Sequence, residues 1–312
     1  MECFLQVRWR HMLARANRRS ISHESVLAEV KSLFQSPTWR PPTFPAAAME
    51  LLSLTEREDM EIGQAAEALG RDPVLAAQVV KRARSAAYAG RQVAGTLKEA
   101  VVRLGVSGTR NVALESAMTM SCFRGSQNAA LRESLRRHSV AVAHLARGTA
   151  VVAGASPEQS FLCGLLHDLG SVATLLALEE LSTSWEIQVD AAEMWLHLDL
   201  LHPEQSAAIA RMWGMPDTVV DVLGHHHDLG LKGAPRTVAS TVILAESFAD
   251  ELGHGFRVSG QQIAVESADQ ELLSDARTAL MLEDDPRPAV FKQVKTPLSA
   301  ALGADEEARP AL

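Results

Sequence analysis

The segment Phe161-Leu162-Cys163-Gly164-Leu165-Leu166-His167-Asp168-Leu169-Gly170 decides the fold and carries the most informative pair in the chain, His167-Asp168. The imidazole and the carboxylate follow a run of leucines, which predicts that both groups are buried. Burying a charged group costs several kcal/mol, as an order of magnitude, unless the group is paired or bound to a metal. The pair therefore indicates either a hydrogen-bonded histidine in a helical core or part of a metal site.

The composition is that of a folded, helix-rich protein. Of the 312 residues, 47% are hydrophobic and 22% are charged, and there is one Tyr. Abundant Ala and Leu with few aromatic residues favour helices over strands. The three scattered cysteines form no CxxC motif, and no secretory signal is present, so we expect a reduced, cytoplasmic compartment. No uninterrupted apolar stretch reaches bilayer length, so no transmembrane segment is expected.

The charge is negative overall but unevenly distributed. The net charge of −8 disfavours bulk nucleic-acid binding, which needs a cationic surface. Residues 1–40 carry seven Lys/Arg against three Asp/Glu, whereas residues 261–312 carry five against ten. A local basic patch is formed by Lys81, Arg82, Arg84, Arg91, Lys98 and Arg103. We interpret this patch as a solvated helical face, with a nucleotide or nucleic-acid contact as the alternative.

Helix signals follow one another through the first half of the chain. Residues 1–35 have the pattern of a basic amphipathic helix, either docked on the domain or lying on a membrane surface. After a proline-rich stretch, Asp72-Pro73 has the form of an N-cap followed by a proline at the first helical position. Further helices are predicted from Pro45, from about Met60 to Leu69 with Gly70 just past the end, from Leu97 to Leu104 ending at Gly105, and from Ser107 to Met120.

The second half is also predicted to be helical. A long helix holds His138, and Ser156-Pro157 begins a helix that carries His167 and Asp168. Further helix starts are predicted at His202-Pro203, Met215-Pro216-Asp217 and Ala234-Pro235, the last running to Leu252. Beyond residue 255 the pattern weakens, which predicts a mostly flexible tail with one helix around 268–282.

Five motifs occur in the order found in HDOD domains, and the chain resembles this family over roughly residues 38–252. HDOD domains are helical output domains related to the HD phosphohydrolases. The resemblance implies an all-α protein of two packed helical subdomains, 38–125 and an HD-like 126–252, between a basic segment 1–37 and an acidic tail 253–312. The motifs are Arg71-Asp72-Pro73-Val74-Leu75, Ser85-Ala86-Ala87-Tyr88, Ala100-Val101-Val102-Arg103-Leu104-Gly105, Gly164 to Gly170, and His202 to His227 around Trp213-Gly214-Met215-Pro216.

The resemblance also implies a set of ligands for divalent metals. Imidazole and carboxylate ligands suit Mn, Fe, Zn or Mg. Each residue also has a simpler interpretation: His202 as a helix cap, and the run His225-His226-His227 as a solvated loop. Glu246 stands where the superfamily usually has Asp. The implied metal ligands are His138, His167, Asp168, His202, His226, His227 and Glu246.

One departure from the superfamily pattern argues against catalysis. In cyclic-dinucleotide phosphodiesterases of the superfamily, the glycine after His-Asp is followed by lysine, but here Gly170 is followed by Ser171. Losing one well-placed electrostatic group costs a factor of about 100–1,000 in rate. The Gly-Tyr-Pro signature of those enzymes is also absent. We therefore expect no catalytic residues and a bacterial regulatory module that binds signalling proteins or a nucleotide second messenger. The alternative is a metal-dependent phosphohydrolase acting on a nucleotide or cyclic dinucleotide.

Overall fold

A computed structural model describes residues 23–36, 39–55, 57, 61–88, 93–123, 128–185, 195, 201–258, 261–262 and 270–302. Most of the predicted basic N-terminal helix, and Arg91 of the basic patch, lie outside these residues. The predicted all-α class is confirmed. Apart from a two-residue antiparallel ribbon, β1 (Arg257–Val258) paired with β2 (Gln261–Gln262), the regular elements in the described ranges are helices.

In the described residues of the first half there are five α-helices: the second, third and fourth pack on the long fifth helix, whereas the first contacts the helix Leu169–Trp185 of the second half. A short 3-10 turn at Ala86–Tyr88 follows the fourth. The helices are α1 (His23–Gln35), α2 (Ala46–Thr55), α3 (Ile62–Gly70), α4 (Pro73–Ala83) and α5 (Leu97–Cys122).

Most helix boundaries of the first half follow the signals in the sequence. The Asp72 carboxylate accepts hydrogen bonds from the backbone N–H groups of Val74 and Leu75, both at 3.0 Å, which confirms the predicted N-cap of α4. Gly105 interrupts α5 with φ of 71°, a left-handed conformation that glycine adopts without steric cost. Gly70 was predicted to lie just past a helix end, but it is the last residue of α3, and the capping position is Arg71.

The described residues of the second half form eight helices, with α6 at the centre. α7, α11 and α13 all pack on α6, which therefore forms the core of this half. The helices are α6 (Ala129–Ala153), α7 (Pro157–Leu166), α8 (Leu169–Trp185), α9 (His202–Met212), α10 (Asp217–Gly224), α11 (Gly233–Glu251), α12 (Gln270–Ala279) and α13 (Arg287–Leu302). The subdomain boundary near residue 125 stays a prediction.

Two predictions about the second half are wrong. His167 and Asp168 do not lie inside a helix: α7 ends at Leu166, and the pair forms the turn between α7 and α8. The segment after residue 255 is not mostly a flexible tail, because α13 packs on α6 with Val290 and Val294 buried. The sequence analysis missed this helix because its buried apolar residues form a narrow stripe and because Pro297 lies inside the helix, where proline is unfavourable.

The most apolar part of the chain is interior. By length and composition alone, the stretch Pro157–Ser184 would be able to cross a membrane, and it is the one such stretch among the described residues. In the folded chain, 94% of its 18-residue apolar window is buried. This burial is what a core helix shows.

Candidate metal centre

Five separate parts of the chain bring the seven predicted ligands to one place. α6 supplies His138, and α11 supplies Glu246. The turn between α7 and α8 supplies His167 and Asp168. The two remaining parts are the start of α9, with His202, and the turn after α10, with His226 and His227.

The ligand atoms form two groups. In the first group, Nε2 of His167 lies 3.3 Å from Nε2 of His138 and 3.4 Å from Oε1 of Glu246. In the second group, Nε2 of His202 lies 3.1 Å from Nε2 of His226 and 3.0 Å from Nε2 of His227. Within each group the candidate ligand atoms lie within 4.8 Å of one another, close enough to share one ion.

Asp168 lies between the two groups and faces both. Its Oδ2 is 3.4 Å from Nε2 of His167 and 3.6 Å from Nε2 of His138. Its other oxygen, Oδ1, is 3.5 Å from Nε2 of His202 in the second group. A carboxylate in this position can offer one oxygen to each of two neighbouring cations.

The imidazole rings are oriented by hydrogen bonds to backbone carbonyls. Nδ1 of His167 donates to the Gly164 carbonyl at 2.8 Å, and Nδ1 of His226 donates to the Leu223 carbonyl at 2.8 Å. Nδ1 of His138 likewise donates to the carbonyl of His254 at 3.0 Å. These bonds place the proton of a neutral ring on Nδ1 and leave the Nε2 lone pair toward the centre, as in histidines that bind metals.

The residues present fit a pair of divalent cations. His138 and His167 both carry the proton of a neutral ring on Nδ1, so their Nε2 lone pairs, 3.3 Å apart, repel each other unless a cation or a proton lies between them. The donor set of imidazole nitrogens and carboxylate oxygens suits Mn, Fe or Zn better than an all-oxygen cation such as Ca²⁺. Each group can therefore hold one such ion.

Burial and the two carboxylates set the protonation of the first group. Burial raises the pKa of Glu246 to about 8, against the opposing effect of His167. Burial lowers the pKa of His167, but Asp168 and Glu246 outweigh it and raise the value to about 9. For Asp168, burial is outweighed by the charge and hydrogen bond of His167, which hold its pKa well below the usual range. Without a metal, protons therefore take the place of a cation here.

Two further buried rings, those of His138 and His226, are neutral. Burial lowers the pKa of His138 to about 4, although Asp168 opposes it. Burial, together with His227 and His202, lowers the pKa of His226 well below its usual range. Neutral imidazoles are the form that binds a metal.

Small residues to which the sequence analysis gave no packing role hold the turn in place. The Ser206 hydroxyl donates to the His167 carbonyl at 2.6 Å and accepts from the Gly170 N–H at 2.8 Å. A Cβ on Gly170 would overlap the carbonyl oxygen of His202 and come within 2.7 Å of its Cα. A Cβ on Gly164 would lie 2.9 Å from the backbone of α6. A serine or glycine gives no sequence signal of such packing without the fold.

The positions of the histidines test the simpler interpretations, a helix cap for His202 and a solvated loop for His225-His226-His227. His202 is the first residue of α9, but the N-cap position is Leu201, so His202 does not cap the helix, and its ring faces the centre. His225 is exposed and lies 3.0 Å from the Asp228 carboxylate, so it is the solvated member of the triple-histidine run. The two histidines that follow it belong to the centre.

Three arginines of the basic patch form hydrogen bonds or ion pairs within the first-half helices. Arg84 donates to the Ala94 carbonyl at 2.7 Å, and Arg103 donates to the Ala83 carbonyl at 3.4 Å. Both arginines therefore hold the connection after α4. Arg82 forms a buried ion pair with Glu115 at 2.8 Å. This arrangement leaves little of the patch for nucleic acid.

Glu115 is also bound by His144, at 2.8 Å, and joins the first-half helices to α6. Burial raises the pKa of Glu115, but the hydrogen bonds and charges of His144 and Arg82 outweigh burial and hold it below the usual range. This carboxylate is therefore ionised in the folded chain.

Comparison with known proteins places this geometry in a family. A 26% identical relative from Treponema pallidum (strain Nichols), an uncharacterised protein, matches over 197 residues, which are 60% of this chain. The matched region is only 38% of the relative's length, so the chain spans well under half of that protein.

Three solved structures share the fold. A proposed metal-dependent phosphohydrolase from Shewanella amazonensis SB2B superimposes with a TM-score of 0.68 at 19% identity, covering 89% of this chain and 99% of that one. An HDOD domain protein of unknown function from Geobacter sulfurreducens gives 0.66 at 23% identity, with 91% and 99% covered. A proposed signal transduction protein from Marinobacter aquaeolei VT8 gives 0.55 at 19% identity, with 92% and 68% covered.

The family model of the HDOD domain matches residues 42–229, more than half of the chain. The match includes six of the seven residues of the centre, and Glu246 lies beyond its end. This chain belongs to the HDOD domain family.

Proposed function

We propose that this chain is a bacterial regulatory HDOD module that holds divalent cations at the metal centre and acts by binding rather than by turnover. The observation that carries the proposal is the position of Asp168, which presents one oxygen to each of two histidine groups. A carboxylate shared by two complete ligand groups is hard to explain as core packing alone, because buried charge is costly.

The lack of turnover is inferred from the residue after the His-Asp-Leu-Gly turn. Ser171 is 2% exposed on α8 and carries no charge toward the centre. Relatives that cleave cyclic dinucleotides have lysine there, and its loss costs about 100–1,000-fold in rate. The similarity to the Marinobacter protein, a proposed signal transduction protein, agrees with a regulatory role.

A hydrolysis assay tests this proposal. The purified chain is loaded with Mn²⁺ or Mg²⁺ and incubated with a cyclic dinucleotide and with bis(p-nitrophenyl) phosphate. We expect product release no faster than that of Asp168→Asn, because the charge needed at a phosphoryl oxygen is missing. Product release that is sensitive to chelator and lost in Asp168→Asn would overturn the regulatory proposal.

The second candidate is a metal-dependent phosphohydrolase, and the completeness of the ligand set favours it. All seven implied ligands are present, and Glu246 reaches the first group despite being one methylene longer than the usual Asp. A pair of divalent cations supplies a Lewis acid and an activated water for phosphate cleavage. The Shewanella neighbour carries this description. The assay above separates the two candidates.

A further inference from the structure

A cavity of about 400 Å³ lies between α4, α5, α6 and the end of α13. None of the seven metal-centre residues lines it. Arg136, which does line it, is two residues before His138 on α6 and therefore points about 200° away from it around the helix. The cavity is thus separate from the metal centre.

Three cationic side chains line this cavity: Lys81, Arg82 and Arg136. Arg136 binds Glu133 through Nε and Nη2, at 2.8 and 2.6 Å, which leaves Nη1 without a hydrogen bond to any described residue. Arg82 likewise uses only Nη2 in its bond to Glu115. Lys81 makes no ion pair within the described ranges. Each cation therefore retains a donor for a ligand.

The charge of the cavity is positive although the chain carries −8 overall. Its lining contains one carboxylate, that of Glu115, which is bound by Arg82 and His144, and Glu133 pairs with Arg136 from outside the lining, so three cations stand against two carboxylates. The side chains of Arg82 and Arg136 are only 15% and 17% exposed. Partial burial lowers the local dielectric constant, so an anion here is attracted more strongly than on an open surface.

The apolar wall of the cavity is formed by Val112, Met120, Val140 and Leu302. The amide of Gln78 and the hydroxyl of Ser116 add neutral donors to the lining. A concave site with an apolar wall, a few convergent polar groups and this volume is typical of small-ligand sites. The arrangement matches a ligand that has a compact anionic end and a less polar body.

We propose that this cavity binds a diphosphate group, as carried by a nucleoside diphosphate, with Lys81 and Arg136 on the phosphate oxygens and the nucleoside against the apolar wall. Guanidinium groups suit phosphate because their planar N–H donors match its oxygens. Arg82 contributes charge while it stays bound to Glu115. The site is independent of the proposed metal centre.

The test is calorimetric titration of the full chain with pyrophosphate and with ADP, in EDTA so that metal-bound phosphate does not contribute. Arg136→Gln and Lys81→Gln are each expected to weaken binding about tenfold or more, since each removes a hydrogen bond between charged groups. Binding should also weaken as salt is added. Tighter binding of ADP than of pyrophosphate would support the role of the apolar wall.

The matched control is Arg137→Gln, which removes an arginine from the same helix but outside the cavity. Sequence places Asp305, Glu306 and Glu307 just after Leu302, so a triple Asn/Gln variant of these residues tests whether they compete with the ligand. Binding seen only in this triple variant would support the site. The proposal is overturned if neither form binds pyrophosphate or ADP, or if Arg136→Gln and Arg137→Gln weaken binding equally.

Discussion

Gly170 is the position where a single methyl group should disturb the metal centre without removing a ligand. In Gly170→Ala, the new Cβ would overlap the carbonyl oxygen of His202 and approach its Cα to 2.7 Å. Both atoms are backbone, so no side-chain rotation relieves the contact. Overpacking of a core costs about 1–3 kcal/mol. We therefore expect a loss of that size, together with displacement of His202 from its group.

Thermal unfolding and metal binding measure the two effects separately. A loss of 1 kcal/mol lowers the unfolding temperature by about 2–4 °C in domains of roughly this size. The displaced His202 should weaken metal binding at the second group more than at the first. The control is Gly63→Ala in α3, where nothing lies within 4 Å of the new Cβ. That change should be neutral or stabilise by about 0.4–1 kcal/mol.

The packing argument fails if Gly170→Ala unfolds at the same temperature as Gly63→Ala and binds metal as the unmodified chain does. If Gly170→Ala is destabilised but binds metal normally, the overpacking argument holds and only the expected displacement of His202 is refuted.

Three further predictions concern other parts of the molecule. Leu298→Ala in α13 should cost about 2–5 kcal/mol in urea unfolding, whereas the exposed Lys295→Ala should stay within about 0.5 kcal/mol; equal effects would mean that α13 is not docked. Because the folded pKa of Glu115 lies below its ordinary 4.5, its stabilisation is present above pH 4.5 and lost as the pH falls through the folded pKa. Glu115→Gln should therefore flatten the acid loss of stability, and an unchanged acid dependence would contradict this. Metal binding at pH 7 should release about two protons, from His167 (pKa about 9) and Glu246 (pKa about 8), and tighten as the pH rises; titration in buffers of different ionisation enthalpy measures this, and no release would be the contrary result.

The sequence predicted those parts of the fold that depend on local chemistry. Asp72-Pro73 begins α4 because its carboxylate satisfies free N–H groups of the first turn, and any chain with that dipeptide would carry the same signal. The all-α class follows from composition in the same way. The seven candidate ligands were named from their order along the chain, and the fold brings them together.

The features that sequence missed depend on contacts between distant elements. Glycine at residue 170 is required by the backbone of His202, which lies 32 positions later in the chain and gives no local sign of the contact. The sequence analysis assigned α13 to a flexible tail because this helix is stabilised by packing on α6 and not by a strong amphipathic pattern in its own sequence. The basic patch was interpreted as a solvated helical face, but Arg84 and Arg103 donate to backbone carbonyls of distant residues.

Metal stoichiometry tests the account most directly. The purified chain is loaded with Mn²⁺ or Zn²⁺, freed of excess metal and analysed for bound ions, beside His226→Ala and the matched control His225→Ala. Since His226 is buried in the second ligand group and its neighbour is exposed outside it, we predict about two ions for the unmodified chain and for His225→Ala, and about one for His226→Ala. A chain that retains no metal, or equal stoichiometry in the two variants, would contradict the account.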